Sequence, residues 1–237
     1  MINIAQNLSE VQDRIRAAAL RADRDPDEVN LIAVSKLQGN AKIREAYAAG
    51  IRDFGENRAL EAIQKQRELS DLQEIRWHMV GHIQSRKTRY LVPHFSMVHS
   101  IDRMKIAKRL SRHSKEHGQK LPVLLECNVS GEETKEGWDV ADRESWSSVV
   151  PEFKQIVDLT NLDVRGLMTM APFGVPEDEL RSVFSKLREL RGFLSEIIPG
   201  NWDELSMGMT DDYEIAIEEG ATLVRIGRAI FGPRSYE

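Results

Sequence analysis

Leu31-Ile32-Ala33-Val34-Ser35-Lys36 is a short apolar run with β-branched Ile32 and Val34, and it ends on a lysine just before the chain breaks at Gly39-Asn40. It predicts a buried strand whose last residue stands on the C-terminal lip of a sheet. In parallel α/β proteins ligands bind at that lip, because the loops leaving it carry side chains that need not fill the core. A solvated lysine closing a strand is the plain alternative, so the rest of the chain has to decide.

Outward from this strand the chain alternates. Before it, Ile4, Leu8, Val11, Ile15, Ala18 and Ala19 recur at helical spacing until Asp23-Arg24-Asp25-Pro26, predicting an amphipathic helix that packs on a barrel or caps its floor. After it, Asn40 is placed to cap a helix that stops at Gly50, Ile51–Arg58 reads as strand and turn, and Ala59–Leu69 as helix. Strands follow at 75–81, 97–100, 122–129, 164–168, 204–207 and 223–226. Helices are expected at 85–91, 103–117, 149–159, 176–197 and 212–219. The polar stretch 130–148 reads mostly as a long exposed loop. About eight strands, each followed by a helix or its remnant, define a (β/α)8 TIM barrel with an extra N-terminal helix, a single domain over 1–237 with that helix inside residues 1–25. A doubly wound open sheet is the runner-up, weakened because no phosphate-binding glycine fingerprint follows the first strand.

Composition bounds the function. A chain of 237 residues, 41% hydrophobic and 30% charged, can bury one large core, and a net charge of -5 argues against a nucleic-acid binder. No stretch approaches a membrane span and no signal-peptide core is seen, so the expectation is a cytoplasmic protein without membrane contact, acting as a monomer. The single cysteine, Cys127, falls in an apolar run and reads as an inert buried thiol. His78 with His82, and His113 with His117, have spacings that can hold a metal, but no thiol or acid stands near them in sequence, and no metal is expected. Arg86-Lys87-Thr88-Arg89 reads as a solvated helix face, and Asp211-Asp212 as the cap of the next helix.

Two loops on the final strands resemble anion cups. Leu205-Ser206-Met207-Gly208-Met209-Thr210 carries two hydroxyls around a glycine, and Arg225-Ile226-Gly227-Arg228 repeats the pattern with arginine. Barrels often bind phosphate with the loops after strands seven and eight. With a lysine on the first lip, a phosphate-bearing ligand with a lysine-reactive group is plausible, and a phosphosugar enzyme would use the same cups.

Ala33-Val34-Ser35-Lys36, Phe54-Gly55-Glu56-Asn57-Arg58, Trp77–Ser85, Gly166-Leu167-Met168-Thr169-Met170 and the block from Leu205 to Gly232 resemble the pyridoxal phosphate homeostasis protein family. The resemblance implies a barrel like that of alanine racemase and the cofactor pyridoxal 5′-phosphate (PLP). It implies a role in vitamin B6 balance without established turnover, and PLP-dependent apoenzymes as recipients. By position it implies that Lys36 holds PLP as a Schiff base, that Ser206, Gly227 and the Arg228 backbone bind the phosphate, and that Arg225 faces the pyridine nitrogen. Asn57 and Met79 are implied to lie against the ring, with plain core filling the alternative reading of Met79. The family usually has proline where His82 stands, asparagine where Arg86 stands and threonine where Arg228 stands. The alternative function is a PLP-dependent racemase of low activity. It lacks the second β domain that supplies an opposite-face acid in alanine racemases, and Tyr213, expected within a helix, is poorly placed to replace that acid.

Overall fold

The computed structural model describes residues 2–233; both ends of the expected 1–237 domain lie outside them. Helix α1 (Ile4–Arg21) starts at Asn3, whose side chain accepts from the Gln6 N–H, and it buries the six apolar residues that its spacing predicts. Strand β1 (Asn30–Val34), helix α2 (Asn40–Ala48), β2 (Asp53–Glu56), α3 (Ala59–Glu68) and β3 (Arg76–Met79) follow in order. The helix expected near 85–91 is present as a 3-10 helix, Ser85–Tyr90. Then come β4 (Met97–Ile101), α4 (Met104–Glu116), β5 (Leu121–Asn128), β6 (Trp138–Asp139), α5 (Trp146–Val157) and β7 (Leu162–Met168). The chain continues through α6 (Glu177–Ile197), β8 (Glu204–Ser206), α7 (Tyr213–Glu218), β9 (Leu223–Ile226) and α8 (Arg228–Phe231).

All strand pairings are parallel, and eight strands close on themselves: β1 lies between β2 and β9, and β4 pairs with β5. Closure removes the open-sheet alternative, which needs two free edges. Because only four helical residues follow β9, a place is left in the outer ring, and α1 packs there against α7, α8 and α2. It is a member of the ring, not a lid on the floor.

Two expectations fail locally. The stretch 130–148 is not a simple exposed loop: Trp138 and Asp139 pair with Cys127 and Asn128, Trp138, Val140 and Trp146 are buried, and α5 already begins at Trp146. Asn40 does not cap α2. Gly39 holds that position, and the Asn40 amide donates to Glu68 instead.

Side chains facing the barrel axis form two layers. Ile32, Leu124, Met168 and Leu223, with Met97 against them, make an apolar floor. Met168 reaches it through a slip in register: Val123 pairs with Val164, but Leu124 pairs with Gly166, so β7 bulges at Arg165 and its alternation inverts. Only glycine fits after the bulge, since φ is +146° and a Cβ there would lie 1.9 Å from the Glu204 carbonyl oxygen.

If α1 is an integral wall, Leu8→Ala, at a side chain 1% exposed, should destabilise the whole domain by about 2–4 kcal/mol in urea unfolding. A loss under about 0.5 kcal/mol would mean that α1 detaches independently.

Candidate functional site

Above the apolar floor the barrel interior is polar. Arg225, 4% exposed, donates from Nη1 to Ser206 Oγ at 2.5 Å and from Nη2 to the Thr169 carbonyl at 2.9 Å. Beyond Ser206 the contacts continue to His99 Nδ1 at 2.9 Å, from His99 Nε2 to His78 Nδ1 at 3.0 Å, and from His78 Nε2 to Asp53 Oδ1 at 2.9 Å. The ends set the direction of every bond. Arginine only donates, so the Ser206 hydroxyl accepts from it and passes its own hydrogen to His99 Nδ1. His99 therefore carries its proton on Nε2 and donates to His78, which donates from Nε2 to Asp53.

Electrostatics agree with that direction. Burial pushes His99 well below its usual range, with His78 and Arg225 adding to the effect, so it is neutral. Burial acts to raise Asp53, but hydrogen bonds and charge from His78 and Arg76 outweigh it and hold the carboxyl at about 2. Burial lowers Arg225 to about 10, opposed by Glu126 and Asp212, which leaves it cationic at neutral pH.

A cavity of about 540 Å³ opens at the barrel mouth, lined by Lys36, Asn57, Val80, Thr210, Arg225, Gly227 and Arg228 among others. Five residues singled out from the sequence thus meet here: Lys36, Asn57, Arg225, Gly227 and Arg228. Ser206 and Met79 do not line it. Ser206 is fully buried, with its hydroxyl committed between Arg225 and His99. Met79 is 2% exposed in the core between strands and helices, whereas Val80, one residue on, faces the cavity.

The second hydroxyl of the glycine loop is the one at the mouth. Thr210 reaches it because the chain turns at Gly208, where φ is +92° and a Cβ would lie 2.7 Å from the Ala216 Cβ. Asp212 holds the N-cap position of α7, but its carboxylate folds back to accept from the Met209 N–H at 2.5 Å. Arg228 is paired with Asp211 at the rim.

Lys36 is half-buried, and α3 fixes the backbone on both sides of it. Lys65 Nζ, buried between Glu56 (2.8 Å) and Glu61 (2.9 Å), donates to the Ser35 carbonyl at 2.8 Å. Glu61 also accepts from the Leu37 N–H at 3.0 Å, holding Leu37 at a φ of +61°, which a branched residue adopts at a cost of about 1–3 kcal/mol. Lys65 and His99 were missed in the sequence, and Thr210 was noted there only as the second hydroxyl of the cup. Strand alternation places His99 inward, and helical spacing places Lys65 beside Glu61.

These features define a class: a small-molecule-binding (β/α)8 barrel whose first strand brings a lysine and whose last brings an arginine to one cavity. Residues 6–235 match the family "Alanine racemase, N-terminal domain". A pyridoxal phosphate homeostasis protein of Pseudomonas aeruginosa is 48% identical over 236 residues, covering 100% of this chain and 98% of the relative. The solved structure of PipY from Synechococcus elongatus, 40% identical, superposes with a TM-score of 0.85 without PLP and 0.83 with PLP bound. Each superposition covers 97% of this chain and 100% of PipY. On these matches the chain belongs to the pyridoxal phosphate homeostasis protein family. Alanine racemase from Streptomyces lavendulae, 18% identical with a TM-score of 0.72, covers 97% of this chain but 56% of its own, and shares the barrel fold.

The Asp53 end of the buried chain has a pH signature. A carboxyl held at about 2, below its ordinary 3.8, stabilises the fold above pH 4 and loses that contribution as pH falls through 2. Asp53→Asn should therefore lower stability by about 1–2 kcal/mol at pH 7, with the gap to wild type closing between pH 4 and pH 2 in denaturant titrations. A gap independent of pH would contradict an ionised Asp53 as terminus of the chain.

Proposed function

We propose that this chain binds PLP in the mouth cavity, holds it as a reversible Schiff base on Lys36, and serves cytosolic vitamin B6 homeostasis as a monomer that supplies PLP-dependent apoenzymes. One observation carries this reading: a single cavity of about 540 Å³ brings together the Lys36 amine, the donor-only Arg225 and the Thr210–Gly227–Arg228 rim. These groups match an aldehyde, a pyridine nitrogen and a phosphate in turn. The PLP-bound structure of PipY adds support.

When bound, PLP supplies an aldehyde and an electron-accepting ring. Lys36 is the residue that would hold the aldehyde, since its side chain lines the cavity and a neutral amine there would be the nucleophile. Arg225, held by Ser206 and the Thr169 carbonyl, offers N–H groups to the ring nitrogen and has no proton to give at neutral pH. A permanent donor in that place would leave a ring nitrogen unprotonated and so weaken the ring as an electron sink. That favours storage and transfer over carbanion chemistry.

The barrel shared with alanine racemases favours slow racemisation as the second reading. Racemisation needs an acid or base on the face opposite Lys36. Tyr213, 1% exposed in α7 with Arg14 over its ring, does not line the cavity, and neither does any histidine, cysteine or tyrosine among the described residues.

Borohydride reduction of the PLP-loaded protein, followed by peptide mapping and an amino-acid racemisation assay, tests the reading. A pyridoxyl adduct on Lys36, lost in Lys36→Ala and accompanied by no turnover, is the expected result. An adduct that survives in Lys36→Ala would remove Lys36 from its role, and clear turnover would favour the racemase. For the phosphate rim, Thr210→Val should weaken PLP binding roughly 10-fold, the effect of one hydrogen bond to a charged group. Unchanged affinity would exclude the hydroxyl from phosphate binding.

A further inference from the structure

Beside the cavity the mouth holds a second cluster. His82 follows β3, Asp102 follows β4 and Glu136 lies in the loop between β5 and β6, all at C-terminal strand ends. Their ligand atoms lie within 4.8 Å of one another, with His82 Nδ1 3.2 Å from Asp102 Oδ2 and 3.5 Å from Glu136 Oε1. Ligands at ~2.1 Å from one cation stand roughly 3.0–3.5 Å apart, so small side-chain rotations bring all three into range.

Two buried oxygens beside the cluster lack a partner. Asp102, with its side chain 1% exposed, has an unpaired Oδ1, and Glu126, 3% exposed, has an unpaired Oε2. The loop carrying Glu136 crosses directly over Glu126, for a Cβ on Gly137 would lie 2.6 Å from the Glu126 carbonyl oxygen. Three carboxylates and an imidazole thus share a corner whose bonded cation, Arg103, engages Asp102 through Oδ2 and leaves Oδ1 open.

We propose that His82, Asp102 and Glu136, backed by Glu126, form a binding site for a first-row divalent cation of the Zn²⁺ or Mn²⁺ class. The imidazole nitrogen favours these ions over Mg²⁺ and Ca²⁺, which prefer oxygen. His82 and Glu136 are partly exposed, so the ion keeps positions open to water and exchanges with solvent. None of the four residues lines the cavity around Lys36, which makes this a separate site.

The test is titration of the tag-free full chain with Zn²⁺ and with Mn²⁺, by calorimetry and Mn²⁺ paramagnetic resonance, in wild type, His82→Ala, Glu136→Gln and His113→Ala. His113, paired with Glu116 at 2.7 Å on α4, controls for surface binding. The expected result is one ion per chain, a 10-fold or greater loss of affinity in His82→Ala and in Glu136→Gln, and no change in His113→Ala. Both site residues are partly exposed, so these variants should keep the circular dichroism of the wild type. Equal affinity in His82→Ala and wild type, loss of binding in His113→Ala, or no binding at millimolar ion would each overturn the proposal.

Discussion

A guanidinium inside a barrel is tolerated only if its donors are met, because an unpaired buried charge costs several kcal/mol. Arg225 meets that condition through Ser206 and the Thr169 carbonyl, and the requirement then passes down the chain. Ser206 must hand its hydrogen to His99, His99 to His78, and His78 to Asp53, where an ionised carboxyl ends the series. Each group has one role because its neighbours leave no other. The arginine at the mouth is thus oriented by residues that never touch the cavity, and such connected networks favour one arrangement of a polar interior.

The same condition explains the layering of the barrel. Apolar residues from β1, β5, β7 and β9 fill the floor, and polar ones occupy the level above. The bulge at Arg165 joins the two levels. By inverting the alternation of β7 it sends Met168 down into the floor, and the next residue, Thr169, turns its carbonyl to Arg225 while its hydroxyl donates to the Cys127 carbonyl. Without the extra residue the strand would present the wrong face to both layers.

Much of this was legible in the residue pattern, and the misses share a cause. The apolar runs marked the barrel strands, and the lysine of the first run and the arginine of the last were placed at one mouth. What failed was direction within a segment. Of the two hydroxyls around Gly208 the expectation fell on Ser206, yet Ser206 still belongs to a strand and points to the axis, whereas Thr210 lies past the turn and lines the cavity. Met79 fills the core, as its alternative reading had it, while Val80, just past the end of β3, lines the cavity. The Arg165 bulge left no mark in the apolar pattern. The cluster of His82, Asp102 and Glu136 was invisible because its acids come from distant segments that only closure of the barrel brings together.

The two lysines nearest the first lip show why alternation has chemical consequences. Ser35 points outward toward α3, where its hydroxyl donates to Glu56 at 2.6 Å. Lys65 meets the same carboxylate, together with Glu61 and the Ser35 carbonyl, so its ammonium is enclosed by three acceptors and is unsuited to attack a carbonyl. Lys36, one residue beyond Ser35, faces the cavity instead. The buried ion pair therefore gives up its own lysine as a nucleophile and fixes the backbone that presents the other. Its grip on the Ser35 carbonyl and the Leu37 N–H holds the left-handed turn at Leu37, which no glycine is present to relieve.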